Sequence, residues 1–158
     1  MVPESKEKVL GLKQLSSRIS AMRAAGKKIV FTNGCFDIIH VGHTRYLAEA
    51  RALGDLLIVA LNSDSSVGRL KPGRPIVGEN ERAELLSNLS VVDFVVIFNE
   101  DTPYETIREL CPDVLVKGGD WKREDIVGSD LVSEVYSLPY VDGKSTTEII
   151  NKILRLRS

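Results

Sequence analysis

The chain is poor in the residues that staple or span. Of its 158 residues only two are cysteine, Cys35 and Cys111, far apart and in no paired motif. A disulfide framework or a four-cysteine zinc site is excluded, and reduced thiols in the cytoplasm are the expectation. No apolar run approaches the roughly 20 residues that cross a bilayer, and the N-terminus has no apolar signal core, so no membrane partner is expected. Neither charge sign dominates: 21 basic and 22 acidic residues leave a net charge of -1, too little positive charge for a nucleic-acid surface. Histidine occurs twice and tryptophan once. Internal repeats, low-complexity runs and linkers are missing, so residues 1–158 read as one domain, with a leading helix in 1–26 and a core in 27–158.

What is present is an alternation of helical and strand periods. Leu12, Leu15, Ile19 and Met22 are spaced as a helix that Gly26 stops. Lys28 to Thr32 is a β-rich run broken by Gly34. A helix from about Val41 carries Tyr46, Leu47, Ala50 and Leu53 on one face and ends at Gly54. Leu56 to Asn62 is continuously apolar, as in a strand buried on both faces. Residues 63–78, rich in Ser, Gly, Pro, Lys and Arg, read as a long functional loop. Further helices are predicted over Glu81–Leu89, Thr102–Leu110 (capped by Asp101 or Thr102) and Thr146–Leu154 (capped by Ser145). Further strands are predicted over Asp93–Phe98, Val114–Lys117 and Val135–Leu138. The fold class is α/β: a Rossmann-like, doubly wound sheet of about five parallel strands flanked by helices. Ligands of such sheets sit beyond the carboxyl ends of the strands. The segments 33–43, 62–75, 117–121 and 139–147 all follow strand ends and should share one rim. Apolar helix faces serve the core or a homodimer equally well.

The strongest constellation is Gly34-Cys35-Phe36-Asp37 followed by His40-Val41-Gly42-His43. Its histidines are the only two in the chain, three apart at a helix start. Free N–H groups and the positive dipole end suit phosphate there, and Gly42 allows close approach. Two imidazoles can donate to phosphate oxygens whose charge grows in a transition state. A metal pair would need a third ligand nearby, and none is in view; a purely structural role is the default for lone histidines, but the flanking pattern argues against it here. Lys71-Pro72-Gly73-Arg74-Pro75 is a basic loop able to close on a triphosphate. Lys117-Gly118-Gly119-Asp120-Trp121 offers a tight turn, with Trp121 free to stack on a ligand or to pack under the loop. Gly143-Lys144-Ser145-Thr146-Thr147 is a second phosphate cradle or a plain helix cap.

Taken in order, VFTNGCFDIIHVGH at 30–43, LNSD at 61–64, VKGGDW at 116–121 and DGKSTTEII at 142–150 resemble the small cytidylyltransferase-like nucleotidyltransferases. Within them the chain is similar to the D-glycero-β-D-manno-heptose 1-phosphate adenylyltransferase domain of ADP-heptose synthesis, over about residues 10–154. The resemblance implies an enzyme that joins ATP to a sugar 1-phosphate and releases pyrophosphate, for lipopolysaccharide core precursors. His40, His43 and Lys71 would be catalytic, His43 nearest the α-phosphate and Lys71 on the β- and γ-phosphates. Thr32, Asn33, Gly34, Phe36, Asp37, Arg82, Lys117, Gly118, Asp120, Ser145, Thr146 and Thr147 would bind nucleotide, Asp37 by orienting its turn. Arg82 reads equally as a surface helix charge. Mg²⁺ would be the cofactor, held mainly by ATP phosphates. In many bacteria the domain is fused to a sugar kinase. Transfer to glycerol phosphate or another sugar phosphate, with CTP or ATP, is the alternative, as is nucleotide binding without turnover. Tyr140 stands where glycerol-phosphate cytidylyltransferases carry an arginine, a departure that leaves one anionic contact unassigned.

Overall fold

The computed structural model describes residues 5–157; the outermost ends of the predicted 1–158 unit, residues 1–4 and 158, lie outside them. The leading helical region resolves into α1 (Ser5–Lys8) and α2 (Leu12–Ala24). Then follow β1 (Ile29–Gly34), α3 (Val41–Arg51), β2 (Leu56–Asn62), α4 (Asp64–Leu70), α5 (Glu79–Ser87), β3 (Phe94–Phe98), α6 (Tyr104–Leu110), β4 (Val114–Gly118), a short 3₁₀ turn (Arg123–Asp125), β5 (Glu134–Leu138) and α7 (Thr146–Arg155).

All five strands run parallel in the order β3-β2-β1-β4-β5. The order reverses between β1 and β4, whose following connections leave toward opposite faces. Strict alternation divides each strand between two apolar layers. Ile29, Phe31, Ile58, Ala60, Phe94 and Leu115 face α2 and α6, where Leu15, Ile19, Ile107 and Leu110 close the layer. Val30, Leu57, Val59, Val95, Val114 and Val116 face α3 and α5, against Leu47, Ala50, Ala83 and Leu86. Burial on both faces is why these strands lack an alternating polar pattern. At one edge, Val9 bridges Val95 beside β3. Among the described residues no helix is long and apolar enough to cross a membrane.

Two expectations are corrected. The stretch 63–78 is not wholly loop, because α4 occupies 64–70. Ser63 caps it by accepting from the Ser66 amide at 3.2 Å, Asn62 donates to the Ser66 hydroxyl at 3.0 Å, and Val67 is fully buried. The local cap, the Ser66 hydroxyl donating to the Glu100 carbonyl at 2.7 Å and the burial of Val67 together override the weak helix propensity of Ser and Gly. Helix α6 begins at Tyr104 with Pro103 as N-cap and no side-chain cap; Asp101 instead pairs with Arg69 at 2.8 Å. Helix α7 does carry its predicted cap, the Ser145 hydroxyl accepting from the Glu148 amide at 3.0 Å. Its Ile153 and Leu154 are exposed.

Candidate active site

Strand β1 ends at the topological switch, and the chain turns sharply there. Phe36 adopts φ 44°, a left-handed conformation uncommon outside glycine. The turn is pinned by the buried carboxylate of Asp37, which accepts from the amides of Ile76 (2.8 Å) and Val77 (2.9 Å) and pairs with Arg74 at 3.1 Å. Burial alone would raise this carboxyl; the two amides and the guanidinium outweigh it and hold it below the usual range. Asp37 thus ties the first turn to the segment that follows α4.

Helix α3 begins with a capping box built from histidines. His40 is the N-cap; its Nδ1 accepts from the Gly42 amide at 3.1 Å, while His43 Nδ1 accepts from the His40 amide at 3.3 Å. The two rings stack with centroids 3.9 Å apart. An Nδ1 that accepts leaves the neutral ring's proton on Nε2. Protonation is disfavoured on both rings. Burial, then the neighbouring His40 and Lys71, lowers His43 to about 4; burial and Lys144 lower His40. Each ring is a neutral Nε2–H donor at physiological pH. Gly42 is required here: a Cβ would lie 2.9 Å from His40 Cε1 and Nδ1.

The stacked pair opens on a cleft of about 850 Å³, the size of a site for a small ligand. The rim segments converge on it: Asn33, Gly34, Phe36 and Asp37 from the first turn; Lys71 and Arg74 after α4; Lys117, Gly118 and Trp121 after β4; and Ser145, Thr146 and Thr147 at the start of α7. Thr146 donates to the Ile38 carbonyl at 3.0 Å, binding the start of α7 to the first turn.

Three candidates lie elsewhere. Thr32 is buried beneath the cleft, where its hydroxyl donates to Tyr46 Oη (2.6 Å), which donates in turn to the Val116 carbonyl (3.2 Å). Asp120 is exposed and does not line the cleft. Arg82 is neither a surface charge nor a lining group. Its side chain is completely buried and donates to the carbonyls of Val77 (2.8 Å), Cys35 (2.7 Å) and Asn62 (2.8 Å) and to Asp64 (2.8 Å). It clamps the first turn, the end of β2 and the post-α4 segment together from below. Tyr46, read in the sequence as part of an apolar stripe, lines the cleft as well as bridging β1 and β4. Its polar tip is the available signal, since a buried phenol needs a partner.

A family model described as cytidylyltransferase-like matches residues 31–152. The chain is 53% identical over 151 residues to the bifunctional protein HldE of Wolinella succinogenes, covering 95% of this chain and 32% of that one. To HldE of Geotalea uraniireducens it is 54% identical over 156 residues, covering 96% of this chain and 32% of the relative. The chain therefore spans about a third of the length of the curated relatives it matches. Among solved structures, a lipopolysaccharide core biosynthesis protein from Thermoplasma volcanium is 33% identical with a TM-score of 0.64, covering 74% of this chain and all of that one (100%). A pantoate-beta-alanine ligase from Francisella tularensis, 16% identical with a TM-score of 0.58, shares the fold.

Proposed function

The chain belongs to the cytidylyltransferase-like family, and from that premise we propose that it is an adenylyltransferase joining ATP to D-glycero-β-D-manno-heptose 1-phosphate, with release of pyrophosphate. The observation that carries the reaction class is the locked pair of neutral imidazoles at the α3 N-terminus, facing a cleft with Lys71. The acceptor is supported by the four rim motifs and by the similarity to HldE and to the lipopolysaccharide core biosynthesis protein.

In this reading a phosphate oxygen of the sugar attacks the α-phosphorus in line. A P–O bond forms as the bond to the β-phosphate bridging oxygen breaks, and pyrophosphate departs with the electron pair. No protein nucleophile or base is required, because the acceptor phosphate is already ionised. The protein positions the reactants and stabilises charge. His43 and His40 donate Nε2–H to phosphate oxygens, and Lys71, a mobile point charge, follows the departing pyrophosphate. Among the described residues no group of three metal-ligating side chains comes together, and Asp37 is saturated by two amides and Arg74. Mg²⁺ would arrive with the triphosphate, and the charge neutralisation it would supply to the leaving group adds to that of Lys71. The longer relatives are named as bifunctional, and a fused sugar kinase supplying the 1-phosphate fits that name.

The test is mass spectrometry of products from ATP or CTP with Mg²⁺ and a panel of sugar 1-phosphates and glycerol 3-phosphate. ADP-heptose as the main product is expected. A cytidylyl product, or a different acceptor turned over faster, overturns the assignment.

A further inference from the structure

The cleft has two unlike walls. Residues alternate along β4, so Val116 faces α3 while Leu115 and Lys117 face the opposite side, toward α6 and the 3₁₀ turn. The α3 wall carries the histidines and the hydroxyls of α7. The other wall carries Asp101, Thr102, Asp125 and Trp121, with Lys117 at the neck between them.

Lys117 is unusual there. Its ammonium is half-buried and, among the described residues, has no carboxylate or hydrogen-bond partner; it lies 5.6 Å from the Trp121 ring centroid. Burial pushes it below the ordinary amine range, and the charge of Lys71 adds to that push while Cys35 acts against it. A half-buried cation without a counter-charge is unfavourable until an anion arrives. The indole is held flat by its own bonds. Trp121 Nε1 donates to the Gly118 carbonyl at 2.9 Å, its amide donates to the Ser137 hydroxyl at 3.0 Å, and that hydroxyl donates to the Gly119 carbonyl. The wall thus offers one cation at the neck, a fixed aromatic face, and carboxylates and a hydroxyl farther out. Carboxylates accept from hydroxyl groups, and an aromatic face packs on C–H surface.

We propose that this wall is the acceptor subsite: Lys117, which the family resemblance would set on the nucleotide, instead receives the phosphate of a sugar 1-phosphate, and Trp121, Asp125 and Thr102 receive its polyhydroxylated body. The assignment rests on the proposed reaction. Two negatively charged phosphates must meet there, and in-line displacement sets the attacking and departing oxygens on opposite sides of phosphorus. One cation cannot serve both. Lys71 attends the departing pyrophosphate and Lys117 the arriving nucleophile.

The test combines steady-state kinetics with direct binding. Lys117→Met should raise the KM for heptose 1-phosphate by tenfold or more, the scale of one lost charged hydrogen bond. The KM for ATP should stay within twofold, and Lys117→Arg should restore most of the acceptor affinity. Trp121 is the only tryptophan, so its fluorescence in the wild-type protein reports the subsite without turnover. It should respond to heptose 1-phosphate, and the response should weaken in Lys117→Met. A tenfold rise in ATP KM with unchanged acceptor KM, no change in either, or an indole response to ATP alone overturns the proposal, and the wild-type titration stands even where the Met variant folds poorly. If glucose 1-phosphate binds in a Lys117-dependent way while heptose 1-phosphate is not turned over, the subsite holds and the proposed acceptor falls.

Discussion

Replacing Arg82 by Met should destabilise the fold by about 4 kcal/mol without touching the cleft wall. The guanidinium makes four bonds. Of its acceptors, the Asn62 carbonyl is in a buried bond, and its loss is worth about 2–3 kcal/mol. The carbonyls of Cys35 and Val77 are half-buried, at about 1 kcal/mol each. Asp64 is nearly half exposed, with 47% of its side chain accessible, so water replaces its partner and it adds little. Met fills most of the volume, which keeps a cavity term small. Against a typical stability of about 5–15 kcal/mol, the loss is large. Urea unfolding measures it: with a slope of about 2 kcal/mol per molar, the midpoint falls by about 2 M. Arg82→Lys should lie between the two, because three donors on one atom cannot reach all four acceptors. A Met variant within about 1 kcal/mol of wild type would refute the clamp. ATP affinity should fall with stability, since the clamp holds the segment that carries Lys71.

His43→Ala should keep its fold and lose roughly a hundredfold or more in pyrophosphate release, the scale of one lost transition-state donor; near-normal turnover would remove His43 from the chemistry. Gly42→Ala is favoured by helix propensity by about 1 kcal/mol but drives a Cβ to 2.9 Å from His40 Cε1 and Nδ1, which disturbs the cap at a similar cost. Thermal stability should therefore hardly move while turnover drops tenfold or more, and unchanged kinetics would show that His40 is free to shift. The His43 ring, ordinarily near 6.5, is held near 4 in the fold, so the unfolded chain binds the extra proton between those values. Stability is complete above about pH 6.5 and falls as pH drops toward 4, by about 2 kcal/mol after discounting for partial solvent screening. Urea midpoints at pH 7.5 and 4.5 should diverge more in wild type than in His43→Asn, and equal slopes would count against the buried neutral ring.

Much of this was legible in the residue order. Glycines and apolar runs mark the strands, and the segments after their carboxyl ends converge because parallel strands share one functional rim. The His40–His43 pair was legible as a helix start, and the capping geometry adds the tautomer. What stayed hidden is tertiary. A charged residue in the first turn of α5 reads as a nucleotide contact or as a surface charge, and only four acceptors from three separate segments explain why Arg82 is buried. The helix at 64–70 was masked by Ser and Gly, whose local preference yields to the Ser66–Glu100 bond and the burial of Val67. Asp101 reads as a cap, yet Arg69 from α4 takes it.

The Thr32–Tyr46–Val116 chain has a mechanical consequence. Strands β1 and β4 are already in register at Val30–Val114, Phe31–Leu115 and Thr32–Val116, and the phenol rivets α3 to both of them just below the cleft. The floor is therefore tied across the switch point twice, strand to strand and through the phenol. What projects over that base is Lys71, exposed at the end of α4 ahead of the residues that Asp37 and Arg82 pin, and Tyr140, exposed on the approach to α7.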